Sequence, residues 1–209
     1  MTHFTVGIAL LTDAVVLALR AGRGPGAGGP VPKVGRLERR ISVVMLGLLA
    51  AAVVAGTATT GAGPHAGGRG AKRVPIGLAD MARIHSAIVL CLAALTIGLL
   101  VLLQQHGAPA SVVDRARVLL GVMVAQGVIG YTQYFTHLPP VLVGVHVFGA
   151  TVVWTAMLWF HDGLTHHPAE PGPDRSQGDV PGAVPQPVPH GVPDEISNGV
   201  TGVGAPVRP

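Results

Sequence analysis

Two histidines lie within apolar stretches: His85 in LADMARIHSAIVLCLAALTIGLLVLL and His146 in VLVGVHVFGATVVWTAMLWF. A polar ring in hydrocarbon must have a partner, so each marks a functional hypothesis. Both stretches begin after a break, near Leu78 and near Val141, and each histidine falls some six residues in, roughly 9 Å below the end of a helix. Two neutral imidazoles facing each other at one level are what a six-coordinate heme iron requires, one axial nitrogen from each side. A buried hydrogen-bonded pair is the plainer account. It explains one intramembrane histidine more readily than two matched ones.

The neighbours fit a flat ligand. Gly149 and Ala150 lie one turn beyond His146, and Ala82 lies one turn before His85, where small side chains would let a macrocycle pass. Gln126, Gly130 and Gln133 form one helical stripe, and Gly127, Tyr131 and Tyr134 another. Each glutamine is a candidate for a cofactor contact or for a hydrogen bond between helices. Arg83, two residues before His85, is a candidate partner for a carboxylate such as a heme propionate, or a snorkelling interface arginine. His3 also stands near the outer end of an apolar run, and Asp13 near its middle, where pairing with a neighbouring helix is the simpler role. His65, His106, His137 and the later histidines fall in loops, and the spacing of His161, His166 and His167 specifies no metal.

The elements that must position these residues are membrane spans. Of 209 residues, 49% are hydrophobic and 11% charged, a composition that predicts an all-α, polytopic membrane helix bundle. The net charge of +4 does not point to nucleic acid, because the basic residues are spread over loops between apolar runs. A lone cysteine, Cys91, excludes an intramolecular disulfide.

Five spans are expected: His3 to Leu19, Ile41 to about Thr60, about Leu78 to Leu103, about Ala116 to Phe135, and about Val141 to Phe160. Arg20 and Arg23 follow the first run rather than precede it, the reverse of a secretory signal. The Gly/Pro-rich stretch 21–40 carries Lys33, Arg36, Arg39 and Arg40 but no Gly-Lys-Ser/Thr, so it reads as a cytoplasmic loop and not as a phosphate cradle. Of the 14 basic residues, all but Arg69, Lys72, Arg73 and Arg83 fall on one side, predicting a multi-pass protein of the cell membrane with the N-terminus outside and the C-terminus in the cytoplasm. Four parts follow: a helix over 1–20, the loop 21–40, a four-helix bundle over 41–160, and a Pro/Gly-rich tail over 161–209 expected to be disordered. An odd number of spans, with two residues before the first, suggests a reading frame that begins partway through a larger bundle.

The runs GTATTGAGPHAG at 56–67, ARIH at 82–85, AQGVIGYTQYFTHLPP at 125–140 and GVHVFGATVVW at 144–154 resemble the C-terminal half of actinobacterial heme A synthase, over roughly residues 40 to 160. That family has eight helices in two similar four-helix halves, each with a histidine pair, and oxidises the C8 methyl of heme O to the formyl of heme A for cytochrome oxidase. The resemblance implies that His85 and His146 hold a b-type heme serving electron transfer. His3 would take the second histidine position of the half that binds the substrate, heme O. The first three family helices have no counterpart, nor do the first histidine of the substrate half, the glutamate regarded as catalytic or the loop cysteine pair. The resemblance therefore implies an oxidoreductase chain that keeps the heme b half and one extra helix. Heme O, heme O synthase, the cytochrome oxidase assembly route, membrane lipid and a second copy of the chain are its implied partners. The alternative is a non-catalytic bis-histidine heme b protein that passes electrons or assists oxidase assembly.

Overall fold

The computed structural model describes residues 2–23, 27–63 and 77–168. Residues 64–76, with His65, Arg69, Lys72 and Arg73, and the tail from 169 onward lie outside the described residues. By its internal contacts the chain divides into Met1–Glu170 and Pro171–Pro209. Five helices follow in order: α1 (Thr2–Ala21), α2 (Arg36–Ala62), α3 (Leu78–Gln105), α4 (Ala110–Phe135) and α5 (Pro140–Gly163). Four of them, α1, α2, α3 and α5, are long and apolar enough to cross a membrane. The fourth helix is as long but more polar, with Asp114, Arg115 and Arg117 in its first turns and Gln126 and Gln133 further on.

Helix ends explain the connections. After α3, the N–H of Ala108 bonds Leu103 O at 2.9 Å and that of Gly107 bonds Gln104 O at 3.2 Å, with Gly107 at φ 65°. This is the left-handed turn glycine makes at little cost. The α4–α5 turn repeats it without glycine. Leu138 N–H bonds Gln133 O at 2.8 Å, while His137 and Leu138 themselves take φ 64° and 62°. Pro139 and Pro140 then start α5, Pro140 at a position where its missing N–H costs nothing. Helix α4 begins at Ala110, six residues earlier than the sequence predicts, because Pro109 sets its start and Val112 and Val113 are already buried.

Helices α2 and α3 form one antiparallel hairpin and α4 and α5 another, and the two pack together most closely where α3 passes into α4. That packed end contains Met45, Leu99, Leu103, Val112, Leu119, Met157 and Phe160, all essentially inaccessible. Glu38, in the first turn of α2, is also buried there, and its Oε1 accepts a hydrogen bond of 2.5 Å from His106 Nδ1 at the end of α3. Helix α1 lies parallel to α5: Trp154 Nε1 donates to Thr12 Oγ1 at 2.8 Å, and Arg23 pairs with Asp162.

The first residues of the expected disordered tail belong to this end. His161 Nδ1 lies 2.8 Å from Ser42 Oγ, Leu164 is buried, and Thr165–His166 (β2) pairs antiparallel with Val31–Pro32 (β1) of the 21–40 loop. The loop is thus strapped to the segment after α5, aided by Lys33 N–H to Leu164 O at 2.9 Å. Asp13 does not pair with a neighbouring helix. It is exposed on α1, without a hydrogen-bond or ion-pair partner among the described residues.

Candidate functional site

His85 lies seven residues after Leu78 and His146 six residues after Pro140, so two helices that start at the same end of the bundle carry them to one level. Their ring centroids are 6.4 Å apart with an interplanar angle of 80°. Each ring rests against a glycine of its hairpin partner. A Cβ built on Gly56 of α2 would stand 3.2 Å from His85 Cε1, and one on Gly130 of α4 would stand 2.9 Å from His146 Cε1. Any larger residue at either position would push the ring aside.

The proton on His85 is assigned by its partner. Nδ1 lies 3.0 Å from the carbonyl oxygen of Ala52, which can only accept, so Nδ1 carries the hydrogen and Nε2 carries a lone pair. A backbone carbonyl holding one ring nitrogen in this way is the usual support of a metal-ligating histidine. His146 is set in a similar way against the backbone of Gln126, four residues before Gly130.

Whether a heme would fit between the two histidines is tested first by the ring separation. Metal–imidazole bonds of about 2 Å on opposite sides of one ion put two ring centroids about 6 Å apart. The observed separation of 6.4 Å matches that requirement. Among the described residues no cluster of three or more histidine, cysteine or carboxylate side chains could hold a bare metal ion. A macrocycle supplies its own four nitrogens and needs only the two histidines.

The other candidates are distributed differently. Gln126 points to the protein: its Nε2 donates to the backbone carbonyl of His146 at 2.6 Å, and its Oε1 presses on Gly149, which is therefore filled rather than open. Gln133 is half-buried, with Oε1 enclosed and unpaired. Arg83 does not join the pair. It lies two residues, about 200°, around α3 from His85, is 79% exposed and bonds Asp80 at 2.9 Å. His3 is exposed on α1, which packs on α5 rather than between the hairpins, although the Thr12–Trp154 contact sets His3 near the level of Val145. Tyr131 and Tyr134 are exposed, and Tyr131 stacks on Phe135 at 6.3 Å.

The sequence reading passed over Ala52 and Gly56. Two small residues four apart on α2, repeated on α4 only by the glycine, were the available signal. Comparison with protein-family models, curated proteins and solved structures finds no match to this chain.

Proposed function

We propose that this chain is a membrane protein of the heme A synthase kind that holds a b-type heme between His85 and His146. The observation that carries this reading is the pair itself: rings 6.4 Å apart, with His85 Nε2 left as a lone-pair donor by the Nδ1–H bond to Ala52. Bound there, the heme supplies a one-electron couple. The chain's own residues would hold it from two sides, His85 from α3 and His146 from α5, each ring seated on a glycine of the neighbouring helix.

All five helices cross the cell membrane in this reading. Helix α4 joins the end of α3 to the start of α5 through short turns, so when its neighbours span, it spans too. The N-terminus lies outside, the strapped loop and tail lie in the cytoplasm, and the histidines sit in the outer leaflet.

Conversion of heme O, the substrate, to heme A rests on the resemblance, with His3 as the remaining ligand of the substrate half and heme O synthase and cytochrome oxidase assembly on either side of the reaction. A second reading is favoured by the acids. Among the described residues, Asp80 is engaged by Arg83 and Asp13 stands exposed on α1, so no carboxylate is seen beside the histidines. In that reading the chain is a non-catalytic heme b protein for electron transfer or oxidase assembly.

A reduced-minus-oxidised optical spectrum of the purified chain, beside His85→Ala and His146→Ala variants, tests the common claim. A low-spin b-type signal perturbed in both variants supports it. A well-folded wild-type chain that binds no heme overturns it. Formation of heme A from added heme O in membranes holding the chain then separates the readings.

A further inference from the structure

Arginine keeps its charge at any physiological pH, so a guanidinium at a helix end is matched by protein, by water or by an anion from outside. At the packed end of the bundle three are matched by protein. Arg23 pairs with Asp162, and Arg117 pairs with Asp114 at 2.8 Å. Arg115 Nη1 donates to Trp159 O at 2.7 Å, and its guanidinium lies 4.5 Å from the centre of the Trp159 ring. The first turns of α2 differ. Arg36 and Arg40 are exposed, and their guanidiniums make no ion pair or hydrogen bond among the described residues. Arg39, between them, is half-buried with Nε enclosed and unpartnered. Glu38, the one acid of α2, is buried, turned back over Gly35 and engaged by His106 at 2.5 Å, so it offers these arginines no counter-charge.

Arg36 and Arg40 stand one turn apart, at the foot of a face of α2 that no other described element covers. Further along that face come Val43, Val44, Gly47, Ala51 and Val54, all exposed, the three valines more than half so, with open space over Gly47. Val43 to Val54 spans about 16 Å of helix, close to the hydrocarbon depth of one leaflet. We propose that this face binds an anionic phospholipid, its phosphate held by the forked guanidiniums of Arg36 and Arg40 and an acyl chain lying over Gly47 between the valines. Arg20 is also exposed and unpaired, but the same face of α1 carries Asp13 seven residues earlier, a carboxylate in the path of any chain held there. The α2 stripe contains no acid. The proposal rests on the membrane-spanning part of the reading above and is independent of the heme.

The test titrates the full chain in neutral detergent with dioleoyl phosphatidylglycerol or, for a headgroup without net charge, dioleoyl phosphatidylcholine, and counts bound lipid by native mass spectrometry. Each arginine is worth about fivefold in affinity for an anionic headgroup, so the first phosphatidylglycerol binds about twenty-five-fold more tightly than phosphatidylcholine. Arg36→Gln/Arg40→Gln removes that preference and leaves phosphatidylcholine binding unchanged. Arg20→Gln/Arg117→Gln, which lowers the net charge equally, alters the preference by less than about twofold. Gly47→Leu fills the stripe while keeping both arginines, and weakens binding of either lipid. Inorganic phosphate at the lipid's concentration does not displace it. Helicity and monodispersity are checked for each variant, and where a variant misfolds the wild-type comparison of the two lipids decides alone. Equal affinity for both lipids, equal losses in the two double variants, an unaffected Gly47→Leu chain, or displacement by inorganic phosphate overturns the lipid site. A chain that stays folded and monodisperse in water without detergent overturns the membrane reading instead.

Discussion

Met45, Leu103 and Phe160 at the packed end are fully inaccessible, whereas α4 beyond Met123 and α5 before Val153 contain no buried residue. The same two hairpins build both regions. At one end they interdigitate as protein interiors do, and at the other burial is confined to Ala52, Ala55 and Met81 on the α2–α3 side, beside two imidazoles seated on glycines. In lipid, helices associate through close packing rather than through expulsion of water. The packed end is therefore where most of the stability resides, and under the proposed function the histidine end is the part a ligand would shape.

The sharpest way to break this division is to cut into each end and compare. Phe160→Ala should lower unfolding stability in detergent by about 3–5 kcal/mol, since it leaves a void where no neighbour is loose enough to move. Val147→Ala, at the other end, should change it by less than about 0.5 kcal/mol. If the two cost the same, the division fails. Gly130→Val should do the opposite of Phe160→Ala: stability stays within about 1 kcal/mol while heme retention drops about ten- to a hundredfold, because the new side chain displaces the His146 ring.

Two smaller effects sharpen the picture of the packed end. Glu38 curls back over Gly35 at the start of α2 and also accepts the His106 hydrogen bond, so Glu38→Ala should cost about 1–2 kcal/mol by removing both. Asp162→Asn breaks a pair whose side chains are each about a quarter exposed, and should cost under about 1 kcal/mol. Neither variant should alter the heme spectrum. A spectral shift in either would show that the two ends are coupled.

Much of the architecture was legible because apolar length and Pro/Gly punctuation report helices directly. The Pro139–Pro140 turn, the α4–α5 hairpin and the equal depth of His85 and His146 all follow from spacing. The stripe of Gln126, Gly130 and Gln133 was also visible, but not the use of each member. Which way a glutamine amide turns depends on the backbone facing it, and for Gln126 that is the carbonyl of His146 on another helix. For Arg83 the sequence left two roles open, a carboxylate partner or a snorkelling interface arginine, and its exposed position beside Asp80, about 200° round α3 from His85, suits the second. The strap was illegible for a different reason. Two residues on each side, Val31–Pro32 and Thr165–His166, are too short to show any alternation, and the second pair sits in a stretch whose composition reads as disorder.

That strap has a consequence for the order in which the chain is made. Val31 leaves the ribosome before any of α2 to α5, but its partner His166 emerges only after all four. The contacts of α1, with Trp154 and through Arg23 with Asp162, lie equally late. The hairpins can each close on themselves during synthesis, since their members are neighbours in sequence. Helix α1 is thus made before the four helices that follow it here, yet its docking on α5 and the closing of the strap wait until residue 166 has appeared.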